Sequence, residues 1–110
     1  MDTSTTPTKA PTTLLDEALI AAARKGSISE IQSLFDRNAD INARDNNKNN
    51  TPLRLASWIG HHQCINLLLD RNADINALNR QNNTPLHDAS WNGHHQCIDL
   101  LLDRNADINA

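Results

Sequence analysis

Thr51 to Ala77 reads TPLRLASWIGHHQCINLLLDRNADINA, and Thr84 to Ala110 reads TPLHDASWNGHHQCIDLLLDRNADINA, 33 residues further on. The two stretches align without a gap and differ only at Arg54/His87, Leu55/Asp88, Ile59/Asn92 and Asn66/Asp99. Agreement at 23 of 27 positions excludes chance, so one structural unit is written twice and must stack on itself. Working outward, Asp36-Arg37-Asn38-Ala39-Asp40-Ile41-Asn42-Ala43 matches the ends of both copies, so an earlier, more divergent unit precedes them. It lies 34 residues before the second, and the extra residue falls in a loop, where insertions cost least.

Within the unit the signals are helical. Thr51 is placed to cap a first helix, and Pro52 takes N1, where a missing N–H costs nothing. Leu53 and Ala56 face inward, Ala56 being small so that paired helices approach closely, and Gly60 ends the helix. Cys64, Ile65, Leu68 and Leu69 make the buried stripe of a second helix. That helix ends at Asn72, with Asn38 and Asn105 in the same place. Asn tolerates a left-handed residue after a helix better than anything but Gly, so the three positions predict one shared cap geometry. In the first unit, Leu15, Ala18, Leu19, Ala22 and Ala23 recur at helical spacing to Gly26, and Thr13 has capping-box spacing to Asp16. Ser27 and Glu30 form a capping box for a helix carrying Ile28, Ile31, Leu34 and Phe35.

Thr84-Pro85-Leu86-His87-Asp88-Ala89 matches T-P-L-H-x-A in full, and Thr51 to Ala56 matches it except at Arg54. With a period near 33, the chain resembles the ankyrin repeat family. The resemblance implies a mostly α solenoid of three stacked helix-turn-helix units, joined by β-hairpin loops at Arg44–Asn50 and Leu78–Asn83. Residues 13–43 are an N-terminal capping repeat, 44–77 a second and 78–110 a third. Residues 1–12, rich in Thr, Ser and Pro, are expected to be a disordered lead-in. The family also gives the TPLH histidine a structural role, tying neighbouring turns together, and Arg54 breaks that pattern. The Leu34–Asn42, Leu68–Asn76 and Leu101–Asn109 segments fit the pattern read by an asparagine hydroxylase in animals, making Asn42, Asn76 and Asn109 candidate modification sites.

Composition narrows function. The chain has 110 residues and a net charge of −3, which argues against nucleic acid. No apolar run is long enough to cross a bilayer, and no signal-peptide pattern opens the chain. Cys64 and Cys97 occupy one repeat position, further apart in a solenoid than a disulfide spans, so free thiols in a reducing, cytoplasmic setting are expected. The chain has no phosphate loop, nucleophile elbow or HExxH, and its repeated carboxylates at Asp70, Asp74, Asp103 and Asp107 bring no unlike groups together. A non-enzymatic protein with no cofactor is expected. His61 and Cys64, with His94 and Cys97, could be drawn as zinc ligands, but Cys64 falls on the buried stripe and a paired ligand set is missing.

The expected activity is protein binding. The resemblance puts the end of each first helix on a concave groove: Arg24 and Lys25, Trp58 and Ile59, Trp91 and Asn92. Trp is enriched at binding hot spots, although each indole could instead brace the groove. Asn47, Lys48, Asn50, Arg80, Gln81 and Asn83 supply a polar rim from the hairpins. The partner is another protein, with neither nucleic acid nor membrane. Two other readings stay open: a trimmed or consensus-like scaffold with no cognate partner, and a metal-binding protein using the HHQC segments. In the last copy, Leu55→Asp88, Ile59→Asn92 and Asn66→Asp99 make the unit more polar, with Asp88 expected to face a missing neighbour. Leu100, Leu101 and Leu102 are kept, so self-association through the third repeat is also expected.

Overall fold

The computed structural model describes residues 14–106. The lead-in, the Thr13 cap and residues 107–110, Asn109 among them, lie outside that range. Six helices follow in order: α1 (Leu14–Lys25), α2 (Ile28–Asp36), α3 (Pro52–Ile59), α4 (His62–Asp70), α5 (Pro85–Trp91) and α6 (His95–Asp103). They pair as α1/α2, α3/α4 and α5/α6. The first helices stack as one layer (α1, α3, α5) and the second helices as another (α2, α4, α6). No strand forms among the described residues.

Local chemistry sets each boundary. Thr51 and Thr84 hold extended backbone, and each hydroxyl accepts from the N–H three residues on, Arg54 N at 3.3 Å and His87 N at 3.2 Å. Pro52 and Pro85 follow inside the helix start. Ser27 caps α2 by accepting from Glu30 N. The reciprocal half of the box is not made, because the Glu30 carboxylate instead takes Lys25 Nζ at 3.0 Å. At the other ends, Asn38, Asn72 and Asn105 have φ of 68°, 69° and 72°, the one shared cap geometry expected of them.

The core runs the length of the stack as columns of equivalent residues. Ala22, Ala56 and Ala89 are fully buried and form one column, which lets the first helices pack more closely than the second helices do. Leu19 and Leu53, Ile31 and Ile65, and Leu34, Leu68 and Leu101 fill the space between layers. Each such side chain is worth about 1.5–3 kcal/mol on full burial. Ala18 departs from its expected inward place and is exposed, while Ile20 is buried instead. The equivalent positions in later units, Pro52 and Pro85, are buried because a preceding unit covers them; nothing in the described chain covers Ala18.

The connections between units are tight turns rather than paired strands. The first closes with Asp45 N donating to Asn50 O at 2.9 Å, and the second with Asn79 N donating to Asn83 O at 3.1 Å. Asp45 and Asn79 are equivalent, and each side chain caps its own turn. Asp45 Oδ1 accepts from Lys48 N and Asn50 N, and Asn79 Oδ1 from Gln81 N and Asn83 N. Asn49 and Asn82 supply the positive φ that such turns need. Side chains meet so many of the backbone groups that no ladder is left to form. The two turns are joined by Arg80 N donating to Lys48 O at 2.9 Å and by Arg44, whose guanidinium reaches Asn49 O and Leu78 O.

A second contact locks adjacent units. The His61 ring lies where a Cβ on Gly26 would be 2.6 Å from Nδ1, and its Nε2 donates to Arg24 O at 3.1 Å. His94 repeats this over Gly60, with its Nε2 2.9 Å from Trp58 O. Both histidines thus serve as contacts between adjacent units. Among the described residues no three His, Cys, Asp or Glu side chains converge as metal ligands. Cys64 and Cys97 are free and buried, and burial pushes both thiols above their usual range. Asn42 Oδ1 accepts from Asp74 N at 2.9 Å, a bond between units, and the Asn76 backbone N–H donates to Asp74 Oδ1 within its own loop.

Candidate binding groove

The turns and the ends of the first helices enclose two adjoining cavities. The first, about 410 Å³, is lined by Arg24, Asn47, Lys48, Asn50, Trp58, Ile59, Gln81 and Asn83, all expected from the sequence. The second, about 630 Å³, is lined by Trp58 and Trp91 with Gln81 and Asn83. Trp58 stands between the two, so they read as one groove. Trp58 is 48 % exposed and Trp91 82 %, and Ile59 is also open to solvent.

Three residues expected in the groove sit elsewhere or do other work. Lys25 lines neither cavity, its ammonium being drawn to Glu30 on α2. Arg80 lines neither, although its backbone adjoins that of Lys48. Asn92 lines neither, and its amide donates to Trp58 O at 2.8 Å, where it ties α5 to α3.

The floor holds residues the sequence reading did not assign to the groove. Arg54 and Asp88 are 4 % and 1 % exposed and form an ion pair between the second and third units. Asp88 therefore faces the preceding unit, not a missing one as its polarity had suggested. The reason is that Arg54 stands where the expected histidine would, one column away, and needs a counter-charge. Burial pushes the Asp88 carboxyl above its ordinary range, against the opposing pull of Arg54 and His87. Arg54 also donates to Asn50 Oδ1, which accepts from Asn79 Nδ2 at 3.2 Å as well, so the floor is wired into both turns. His87 itself does not tie neighbouring turns. Its Nδ1 accepts from Thr84 N at 2.9 Å within its own unit, and Arg54 makes the link between units instead. The signal that could have revealed the pair was the simultaneous change at 54 and 88, one cation and one anion at neighbouring repeat positions.

The charge of the groove is opposite to that of the chain. The carboxylate that lines it, Asp88, is engaged by Arg54, and Asp45 in the adjoining turn by Lys48 N, Asn50 and, at 3.8 Å, Arg24. Lys48 and Arg80 are exposed and make no ion pair among the described residues. Exposed Glu30, Asp36, Asp70, Asp99 and Asp103 lie on the second helices, in the other layer, with exposed Arg37 and Arg71 at the ends of α2 and α4, while Glu17 is exposed on α1.

A family model described as ankyrin repeats in three copies matches residues 18–110. Oxysterol-binding protein-related protein 1 of Homo sapiens is 39% identical over 68 residues, covering 60% of this chain and 7% of that protein. The chain thus corresponds to a small part of that relative's length.

Proposed function

The chain belongs to the ankyrin repeat family, and from that premise we propose that it binds a partner protein through the groove between the turns and the first helices, without catalysing a reaction. Members of this family are generally protein-interaction modules. The observation that carries the reading is the pair of exposed indoles, Trp58 and Trp91, lining one cavity side by side. Water-exposed Trp is costly to leave bare and is enriched at interface centres, where a partner removes it from solvent. Asn47, Asn50, Gln81 and Asn83 rim it with carboxamides, which donate to and accept from a partner's backbone. The free buried thiols Cys64 and Cys97 support a setting in the reducing cytoplasm.

Capture tests this reading. The wild-type chain is expected to retain a partner from lysate that Trp91→Ala does not retain, with little change in melting. A wild-type chain that captures nothing, or a Trp91→Ala chain that captures as well as wild type, overturns it.

A further inference from the structure

We infer that the groove's occupant is an extended acidic peptide segment carrying a large apolar side chain, seated with that side chain against Trp58 and Trp91 and its carboxylates toward Lys48 in the groove and Arg80 on the adjoining turn. This rests on the groove reading above and narrows the partner. The first ground is the sign of the charge. In a chain of net charge −3 the groove lining carries Arg24, Lys48 and the buried Arg54 against one carboxylate, Asp88. Neutralised carboxylates leave the groove nothing to repel an anion with. Asp88 is held by Arg54 in the floor, and Asp45 is spent on its own turn and on Arg24.

The second ground is the free cations. Lys48 and Arg80 sit on adjacent turns joined by Arg80 N to Lys48 O, so two exposed positive charges lie close together without a counter-charge in the described chain. Complementary charge at an interface steers encounter and rejects partners of the wrong sign. The third ground is the indole pair, which offers apolar area that a purely charged segment would leave uncovered. Two free cations are few for a nucleic acid, whose binding grows with the number of phosphates neutralised.

The chain has two Trp and no Tyr, so its indole fluorescence reports from the groove alone. The experiment titrates the protein with synthetic peptides built around one leucine, flanked by Asp/Glu, by Asn/Gln or by Lys/Arg, and with oligothymidylate. The acidic peptide is expected to shift the emission, to bind more weakly as salt rises, and to bind about tenfold more weakly to the Lys48→Glu, Arg80→Glu double variant. The melting curve of that variant is expected to match wild type, because both positions are exposed. Equal binding of the neutral or basic peptide overturns the acidic preference and leaves the groove reading standing. A response to oligothymidylate alone overturns both in favour of a nucleic acid. No response to any probe overturns this inference, and the capture experiment then judges the groove reading separately.

Discussion

Arg54 and Asp88 meet across the boundary between the second and third units at the same pair of repeat positions where Ile20 and Leu55 pack across the first boundary. One boundary is therefore closed by two aliphatic side chains and the other by a buried ion pair. Removing two charges from water costs several kcal/mol per ion, and their attraction offsets this only when every remaining polar atom is satisfied. Here, among the described residues, Arg54 Nε has no hydrogen-bond partner and Asp88 Oδ2 has only its ion-pair contact with Arg54. Replacing the pair by its counterpart, Arg54→Ile with Asp88→Leu, is expected to leave stability unchanged or raise it by about 1–4 kcal/mol. Either change alone strands a buried charge and is expected to cost about 3–5 kcal/mol. Denaturant unfolding of the three variants checks this; a double variant less stable than both singles would contradict it.

The same pair predicts a pH dependence. Burial raises the Asp88 carboxyl in the folded state, so the folded chain holds that proton to higher pH than the unfolded chain does. A raised folded value gives a stabilising contribution that is fully present below the unfolded value near 3.8 and is lost as pH rises through the folded one. Wild type is therefore expected to gain on the Arg54→Ile, Asp88→Leu variant as pH falls. The difference between them, measured by unfolding at about pH 4 and about pH 7, should be smaller at the lower pH.

Gly60 and Gly93 offer a controlled comparison. Both have positive φ, 99° and 69°, so alanine is strained at either, by roughly 1–2 kcal/mol. A Cβ on Gly60 would also lie 2.8 Å from His94 Nδ1, whereas one on Gly93 would meet nothing within 4 Å. Gly60→Ala is expected to destabilise more than Gly93→Ala, and His94→Ala is expected to cost less in the Gly60→Ala background than in wild type. A thermal double-mutant cycle reads this as a coupling of about 1 kcal/mol.

What the sequence disclosed follows from where repetition does and does not act. Identical residues at 33- and 34-residue spacing made the helices, the Asn caps and the alanine column legible, because each must solve the same packing problem in every unit. The exceptions carried the errors. Asp88 reads as a wet end residue when taken alone and as a core residue once Arg54 is placed beside it. Ala18 reads as core by helical period, yet nothing in the described chain covers it. The turns read as strands by family likeness, but Asp45 and Asn79 spend their side chains on the backbone groups a ladder would use. The groove's Trp58 and Trp91 were legible, while its floor was not, since a floor spanning two units is a property of neither.

The buried thiols give a further expectation. Cys64 and Cys97 are each about 1% exposed, and burial pushes both above the usual thiol range. A thiol held protonated and covered is a poor nucleophile. Both are expected to resist an aromatic disulfide reagent in the folded chain at neutral pH and to react at once in denaturant. Rapid labelling of either thiol without denaturant would contradict the burial.

The two indoles should differ in what they contribute to the fold. Trp58 is about half covered and Trp91 is 82 % exposed. An aromatic side chain buries on the order of 200 Å² when fully enclosed, and burial stabilises by about 25 cal/mol per Å². Trp58→Ala is therefore expected to cost about 2–3 kcal/mol and Trp91→Ala no more than about 1 kcal/mol. The side-chain bonds from Asn92 and His94 end on the Trp58 carbonyl, not its ring, so they survive either change. This makes Trp91→Ala the cleaner probe of binding, since a loss of partner there cannot be charged to unfolding. Single-tryptophan variants separate the two optically. With Trp58→Phe the remaining indole should emit further to the red and be quenched more strongly by iodide than with Trp91→Phe. The reverse order would mean that Trp91, rather than Trp58, is the ring held against the stack.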